Sequence, residues 1–382
     1  MNLERILFLH AGAELYGADI ILLQVLKGID TKEYKPYVIL PNDGSLVEEI
    51  RALNIDVIVQ DYPILRRQFF TPIGIIKYIC KLIKSIFILK KFVIDNNIDI
   101  IHSNTLAVLE GGILNKITGK KHIWHVHEII KHPNFLAKFF RVVTPRMATK
   151  IVCVSESVKE NLVDNNSKYS EKFVVIHNGI DHYKFIPSFS ESIREELSLP
   201  KDEILIGTIG RVNKIKGQEF LVDVAEKIIE KHKNVSFFIV GSVFSGQEHL
   251  MDNLKNKINE PTLKNKIFIS EFRNDTPEIY NNLDIFVLPS VLPDSFPTVV
   301  LEAMASGLPI VANVTGGVKE MVEDNINGFL IYDISEDEMV KKIETLIKNK
   351  ELRKTFGKNS RIIIEENFNL TKFYEKFYEV YR

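Results

Sequence analysis

The sequence is poor in cysteine and has no long apolar run. Only two of its 382 residues are cysteine, Cys80 and Cys153. Neither a disulfide framework nor a cysteine-based zinc site is therefore expected, and the cytosol is the expected compartment. No stretch reaches the 18 or so uncharged apolar residues of a membrane span. The first apolar run is short and contains Glu4, so it is predicted to be a strand and not a signal peptide.

Several cofactor motifs are also missing. The chain contains no G-x-G-x-x-G, no P-loop and no D-x-D. The motifs typical of dinucleotide sites, P-loop nucleotide sites and acidic-pair metal sites are thus absent from the sequence, and no metal site is predicted. With 45% hydrophobic and 26% charged residues, the composition is that of a globular protein whose length suits two domains.

Short apolar runs alternate with stretches of helical period in both halves, which predicts two α/β domains, each with a doubly wound, parallel, Rossmann-like sheet. The predicted strands cover residues 5–10, 37–41, 99–103, 122–126, 150–155 and 173–177, and then 203–208, 235–240, 266–270, 284–289 and 309–313. Prolines and serines at 186–200 mark the predicted joint and hinge. We therefore expect domains at 1–186 and 187–365, with an aromatic-rich C-terminal helix at about 366–382 returning to the first.

The sharpest motif runs from Leu288 to Pro309. A strand ends at Pro289, a loop carries Asp294, and a helix begins near Thr298 with Glu302 in its first turns. The carboxyl edge of such a sheet binds ligands, and a helix N-terminus attracts phosphate. Without a ligand, Asp294 would simply start a turn and Glu302 favour the helix dipole.

A second motif, from Gly207 to Gly217, follows the first strand of the second domain. It places Arg211 and Lys216 beside a glycine-bearing turn, where both cations can reach one diphosphate. The alternative is a pair of solvated loop cations.

In the first half, Gly17 joins the opening strand to the first helix and permits close approach of a ligand. His125 and His127 end a strand on one side of the sheet. One such histidine is expected to contact a sugar hydroxyl or a carbonyl. His102, Asn104, His125 and Glu128 are candidate acceptor contacts; otherwise these are ordinary strand-end and loop residues.

Taken in order, these motifs resemble family 4 of the retaining nucleotide-sugar glycosyltransferases, also called glycosyl transferases group 1. The resemblance rests on 16–19, 127–128, 175–181, 210–217 and, above all, Asp294 with seven residues before Glu302. It implies the GT-B fold of two Rossmann-like domains facing a cleft, an acceptor-binding first domain and a donor-binding second domain.

The resemblance also implies roles for individual residues. Arg211 and Lys216 would hold the donor diphosphate, Glu302 the ribose, and Asp294 with Ser295, Phe296, Pro297 and Thr298 the donor sugar. Gly17 would approach the phosphate, and His127 the reacting carbon. His127, Arg211, Lys216 and Asp294 are the expected catalytic residues.

This chain departs from the family pattern at two positions. The family has glutamate at the first acidic position and usually glycines around the phenylalanine, where this chain has Asp294 and Pro297. These changes bear on which sugar the donor carries. A UDP-sugar is the favoured co-substrate, with a GDP-sugar as the alternative.

Charge is distributed unevenly along the chain. Residues 60–150 hold 15 Lys and Arg against 5 Asp and Glu, although the whole chain has a net charge of -1. Lys77, Lys81, Lys84 and Lys91 are predicted to form one helical stripe. We expect this basic 69–150 face to rest on an anionic membrane and not on nucleic acid; a solvated helix face is the alternative.

The predicted function is retaining transfer of a sugar from a nucleotide donor to a glycan or lipid-linked acceptor in bacterial surface polysaccharide synthesis, without a metal, in the cytoplasm or at the inner face of the plasma membrane. A nucleotide-sugar epimerase and a non-catalytic nucleotide-sugar binding protein remain alternatives. A dinucleotide dehydrogenase ranks last because the glycine fingerprint is absent.

Overall fold

The computed structural model describes residues 3–66, 69–163 and 168–382. It divides the chain into two compact units, the first formed by Met1–Asn178 with Thr371–Arg382 and the second by Gly179–Leu370. The boundary thus lies eight residues before the expected one. Residues 186–200, expected to form the joint, lie inside the second unit.

Within the described residues, the first unit holds a seven-stranded parallel sheet in the order β3-β2-β1-β4-β5-β6-β7. Its strands are β1 (Glu4–His10), β2 (Tyr34–Leu40), β3 (Asp56–Val59), β4 (Ile100–Asn104), β5 (Lys121–Val126), β6 (Lys150–Cys153) and β7 (Phe173–Val175). The helices between them are α1 (Gly17–Lys27), α2 (Ser45–Ala52), α3 (Pro72–Asp95), α4 (Glu110–Thr118), α5 (Asn134–Met147) and α6 (Glu156–Leu162).

The register of this sheet brings distant polar residues together. β1 and β4 pair so that His10 lies opposite Asn104, and β4 and β5 pair so that Asn104 lies opposite His125. Because all three strands are parallel, their carboxyl ends lie side by side at one edge. Residues more than 90 positions apart in sequence thereby become neighbours.

The second unit repeats the design with a six-stranded parallel sheet, among the described residues, in the order β10-β9-β8-β11-β12-β13. Its strands are β8 (Ile204–Ile209), β9 (Val235–Val240), β10 (Ile267–Ser270), β11 (Ile285–Leu288), β12 (Ile310–Asn313) and β13 (Gly328–Ile331). The helices that follow β7 are α7 (Ser192–Glu196), α8 (Gln218–Lys231), α9 (Glu248–Ile258), α10 (Thr276–Asn282), α11 (Thr298–Ala305), α12 (Glu336–Lys348), α13 (Lys350–Asn367) and α14 (Leu370–Tyr381).

Helix α14 packs on the first sheet, as its aromatic residues predicted. Phe373 and Phe377 are buried, and the Tyr381 hydroxyl lies 2.8 Å from Nδ1 of His102. Lys121 Nζ donates to the Tyr381 carbonyl at 2.6 Å. These contacts satisfy the carboxyl end of the helix and close one face of the first sheet.

A buried carboxyl group lies between α3 and α4. Glu110 is fully buried, and its Oε1 lies 3.4 Å from Ser85 Oγ. Burial raises the pKa of Glu110 to about 8. The side chain is therefore protonated in the folded protein at neutral pH, while it is ionised in the unfolded chain.

We expect Glu110→Gln to remove a pH dependence of stability. The folded wild type binds one more proton than the unfolded chain between its ordinary pKa of about 4.5 and about 8, so its free energy of unfolding falls over that range by up to about 1.4 kcal/mol per pH unit. The free energy of unfolding of the variant, minus that of the wild type, should therefore rise from pH 5 to pH 8. Urea unfolding at several pH values measures it, with the exposed Glu49→Gln as control; parallel curves would contradict the assignment.

Candidate active site

Three loops of the second unit meet at the carboxyl edge of its sheet. Gly217, with a left-handed φ of +68°, passes so close to the β11 end that a Cβ would lie 2.2 Å from the Pro289 carbonyl oxygen. Gly316, with φ of +64°, leaves no room for a Cβ beside the carbonyl oxygen of Asp294. Only glycine fits both positions. The loops after β8, β11 and β12 are therefore held against one another.

Lys216 and Asp294 form an ion pair at this edge. Lys216 Nζ lies 2.5 Å from Asp294 Oδ2, and the Asp294 side chain is only 13% exposed. The two residues stand 78 positions apart in sequence and come from the β8 and β11 loops. A cation held by a carboxylate in this way can exchange that partner for the phosphate of a ligand.

Arg211 lies in the same β8 loop as Lys216. Its guanidinium carbon stands 3.3 Å from the centroid of the Phe244 ring, which follows β9. The Gln218 side-chain amide donates to the Arg211 carbonyl at 3.1 Å. Stacking on an aromatic face orients the planar guanidinium. The second predicted cation is thus also held in place.

Glu302 lies in the second turn of α11. Its Oε2 accepts a hydrogen bond from the Tyr280 hydroxyl at 2.9 Å. Burial raises the pKa of Glu302 to about 7, and the hydrogen bond from Tyr280 lowers it only in part. An ionised Glu302 can accept hydrogen bonds from ligand hydroxyls, whereas the protonated form is a weaker acceptor.

The stretch between these two acids forms the entry to α11. Phe296 is 3% exposed, and its ring centroid lies 5.9 Å from that of Phe368. Pro297 is the N-cap, and Thr298 is the first helical residue. Phe296 therefore anchors the loop in the core, while Ser295 and Thr298 flank the anchor.

Four buried oxygens near this edge have no hydrogen-bond partner among the described residues. They are Gln218 Oε1, Ser290 Oγ, Asn313 Oδ1 and Thr315 Oγ1. Ser290 and Thr315 lie two residues after the ends of β11 and β12. Buried polar atoms usually have hydrogen-bond partners in folded proteins, so these four oxygens are available to bond with a ligand or water.

The first unit places His127 and Glu128 just after β5, where both are half-buried. His127 Nε2 lies 2.8 Å from Asn104 Oδ1. Glu128 Oε2 accepts from the His127 backbone at 3.0 Å, and both of its oxygens lie 3.2 Å from the Leu106 amide. These bonds fix the turn that carries His127. Gly17 begins α1, and nothing lies within 4 Å of the position its Cβ would take.

His102 and His125 are fully buried under α14. The ring of His102 stacks on Phe377 with the centroids 6.1 Å apart, and that of His125 lies 5.0 Å from the same phenylalanine. Burial lowers the pKa of both imidazoles well below the usual value. Asn104 is also fully buried. Of the four residues predicted to contact the acceptor, His102, Asn104 and His125 are buried, and only Glu128 is partly exposed.

Several contacts at these sites were not predicted from the sequence. Phe244 and Tyr280 contact Arg211 and Glu302 from separate loops and helices. Asp19 belongs to the 16–19 motif, but its contact with His10, and through His10 with the His127 network, was not predicted. Among residues 3–66, 69–163 and 168–382, no group of three or more His, Cys, Asp or Glu is placed to hold a metal ion.

Two family models match this chain and together span most of it. The model described as "Glycosyltransferase Family 4" matches residues 16–184, and that described as "Glycosyl transferases group 1" matches residues 189–362. The first match covers strands β2 to β7 of the first unit and contains Gly17, His127 and Glu128. The second contains Arg211, Lys216, Asp294 and Glu302.

Individual relatives agree with these matches. The chain is 27% identical to a UDP-Gal:alpha-D-GlcNAc-diphosphoundecaprenol alpha-1,3-galactosyltransferase of Escherichia coli, over 95% of this chain and 96% of that protein. It is 29% identical to the capsular polysaccharide biosynthesis glycosyltransferase CapM of Staphylococcus aureus, over 61% of each. The crystal structure of Anabaena HepE in complex with UDP matches with a TM-score of 0.83 and 25% identity, over 98% of this chain and 99% of that one. The predicted fold class of two Rossmann-like domains is confirmed.

Proposed function

Because this chain belongs to the glycosyl transferases group 1, we propose that it moves a hexose or N-acetylhexosamine from a UDP-sugar to a lipid-linked glycan acceptor, with retention of configuration and without a metal ion. Its relatives indicate a glycosyltransferase of bacterial polysaccharide synthesis. The donor chemistry is proposed from the pair of Lys216 and Asp294 beside Arg211 at one sheet edge.

In this proposal the second unit binds the donor. Lys216 leaves Asp294 and, with Arg211, holds the diphosphate. Negative charge builds there as the bond to the sugar breaks, so fixed cations lower the barrier selectively. Asp294, once released from Lys216, accepts hydrogen bonds from the sugar together with the Ser295–Thr298 segment. Glu302 binds the ribose hydroxyls.

No general acid is assigned, because a nucleoside diphosphate is already a good leaving group. The departing phosphate takes the acceptor proton, as the resemblance to retaining enzymes implies. Asp294 therefore positions the donor and is not a nucleophile. His127 and Glu128 of the first unit contact the transferred sugar and the acceptor, and Gly17 lets the α1 turn approach the phosphate.

Support for UDP comes from two proteins. HepE was crystallised with UDP, and the Escherichia coli relative carries UDP-Gal in its name. The name of that relative also gives an acceptor on diphosphoundecaprenol, which is a membrane lipid. We therefore favour a UDP-sugar over a GDP-sugar, and a polyprenyl-diphosphate-linked sugar as acceptor.

A lipid-linked acceptor requires access to the membrane, and α3 offers a surface for it. Ile76, Ile79, Ile83, Phe87 and Ile94 follow one another at helical spacing on the face opposite the buried Tyr78, Leu89 and Val93; Ile76 is 63% exposed and Phe87 71%. We call these five residues the apolar stripe. A second stripe runs alongside it on α3 and consists of Lys77, Lys81, Lys84 and Lys91, spaced four, three and seven residues apart.

Helix α5 continues this surface. Phe135, Phe139 and Val142 are exposed at spacings of four and three residues, among Lys138, Arg141 and Arg146. The ring of Phe135 lies 5.9 Å from that of Phe70, which stands two residues before α3. No helix among the described residues has the length and apolarity to cross a bilayer. The proposed contact is peripheral, with apolar side chains at the lipid boundary and lysines on anionic headgroups.

The proposal is tested by incubating the protein with UDP-hexoses and UDP-N-acetylhexosamines, with and without a short polyprenyl-diphosphate-linked N-acetylglucosamine, in EDTA. We expect one UDP-sugar to give a larger lipid-linked product only when the acceptor is present. A changed sugar nucleotide without acceptor would identify an epimerase instead. Binding of UDP-sugar without any product from a panel of lipid-linked acceptors would favour the non-catalytic binding protein.

A further inference from the structure

Behind His127 lies a connected series of buried side chains that the roles above do not use. Asp19 Oδ1 is 2.5 Å from His10 Nε2. His10 Nδ1 is 3.0 Å from both the backbone oxygen and the side-chain nitrogen of Asn104. Asn104 Oδ1 is 2.8 Å from His127 Nε2. We call Asp19, His10 and Asn104 the relay; all three are less than a tenth exposed.

The surroundings of Asn104 determine which way its amide faces. Asn104 Nδ2 lies 3.1 Å from the Ala18 carbonyl oxygen, which can only accept a hydrogen bond. The amide nitrogen therefore points to Ala18, and the amide oxygen points to His127. Because that oxygen can only accept, the proton must be on Nε2 of His127.

The other end of the relay fixes His10 in the same way. Asp19 Oδ1 accepts from His10 Nε2, while its Oδ2 accepts from the Tyr16 amide at 2.9 Å. His10 Nδ1 either accepts a hydrogen bond from the side-chain Nδ2 of Asn104 or, when protonated, donates one to the backbone carbonyl of Asn104. In both states Asp19 keeps the proton on Nε2, so His10 and Asn104 are held in place.

We propose that Asp19, His10 and Asn104 position His127 as the neutral Nε2–H tautomer, whose Nδ1 accepts a hydrogen bond from a hydroxyl of the substrate. The identity of that substrate rests on the proposed function, whereas the tautomer of His127 does not depend on it. His127 is then an acceptor and cannot donate to a carbonyl or a phosphate through Nδ1. A hydroxyl of the transferred sugar or of the acceptor has the chemistry that fits.

The titratable groups around His127 are consistent with a neutral ring. Burial, followed by the nearby charge of His10, lowers the pKa of His127 to about 3. The His125 ring lies 4.1 Å from that of His127, and burial lowers the pKa of His125 as well. The Glu128 carboxylate is occupied by backbone amides. A neutral imidazole needs a neighbour to select its tautomer, and Asn104 provides it.

Nitrogen NMR of protein with ¹⁵N-labelled histidine tests the tautomer in the free protein, with His127→Gln used to assign the signal. We expect the wild type to show a protonated Nε2 and an unprotonated Nδ1 from pH 5.5 to 8.5. In Asn104→Asp the new carboxylate should move the protonation midpoint of His127 into that range. The turnover number should then fall about tenfold or more below the midpoint, with UDP affinity unchanged.

Two further variants complete the design. Asp19→Asn keeps the shape but lets His10 take the other tautomer, so a second His127 signal and a several-fold lower turnover number are expected. Asn253→Asp, on the exposed side of α9, controls for the added charge. A proton on Nδ1 of wild-type His127, or an Asn104→Asp signal that stays unprotonated throughout, would overturn the proposal. Because the NMR needs no substrate, failure of the transferase proposal would be seen separately, as absent transfer with the tautomer intact.

Discussion

Lys216→Ala is expected to lower the turnover number for sugar transfer by about 10²- to 10³-fold, the loss typical of removing one preorganised charge at a developing anion. It should also weaken UDP binding by about tenfold or more, because a charge-assisted bond to phosphate contributes roughly 1.5 to 3 kcal/mol. The structure supplies the reason: Lys216 already stands at the sheet edge, 2.5 Å from a carboxylate. Initial rates and UDP titration measure both effects.

Lys214 provides a matched control, because it lies exposed in the same loop. Lys214→Ala removes the same charge two residues away and should leave both quantities within about twofold. Lys216→Arg keeps the charge on a longer, planar group. Its turnover number and UDP affinity should lie between those of Lys216→Ala and Lys214→Ala. Since Lys216→Ala leaves Asp294 without its cation, thermal unfolding of each variant checks that the loop remains folded. Wild-type rates and UDP affinity in folded Lys216→Ala would show that the ion pair is only structural.

The second large effect is expected on membrane binding. Replacing Ile76 and Ile83 of the apolar stripe with aspartate should lower binding to anionic vesicles at least a hundredfold. Full burial of one isoleucine contributes about 1.5 to 3 kcal/mol, and each added carboxylate is repelled by the headgroups. Vesicle cosedimentation over a series of lipid concentrations gives the partition coefficient.

Control variants distinguish lipid binding by the apolar stripe from other functions of the same surface. Ile117→Asp changes an exposed isoleucine at the end of α4 and should bind vesicles like the wild type. Lys77→Glu with Lys84→Glu should remove the preference for anionic over neutral lipid, since each lysine contributes about 1 kcal/mol. The contrary result is a wild-type protein that does not bind anionic vesicles and instead forms a dimer through the apolar stripe, as measured by light scattering. That result would assign the surface to a second copy of the chain.

Much of the fold could be predicted from the sequence because buried parallel strands are continuous apolar runs. All eleven predicted strands are present, and no predicted strand end differs from the observed one by more than three residues. The two missed strands, β3 and β13, both lie at sheet edges and have four residues each. Three of the four β3 residues are exposed, so the run lacks the apolar signal of the central strands.

The candidate site could be predicted only in part. The sequence predicted that Arg211, Lys216, Asp294 and Glu302 follow strands of one sheet, because carboxyl ends of parallel strands share an edge. It could not predict that Lys216 pairs with Asp294, since that contact depends on loop paths set by Gly217 and Gly316. These pairings depend on three-dimensional packing, which strand periodicity does not encode.

The same limit applies to the first unit. His102 and His125 look like strand-end donors in sequence, yet α14 covers them. The alternation of side chains along a strand places His102 and His125 on definite faces, but it does not say which helix covers each face. Conversely, His10 becomes a neighbour of Asn104 only through the β1–β4 register, and Asp19 joins them through its contact with His10.

The most direct test of the account is proton NMR of the product formed from an α-linked UDP-sugar and the lipid-linked acceptor in EDTA. Retaining, metal-independent transfer predicts a new α-glycosidic linkage formed at the same rate with and without the chelator. A β-linked product, or transfer that requires a divalent cation, would contradict the mechanism proposed for Lys216, Arg211 and Asp294.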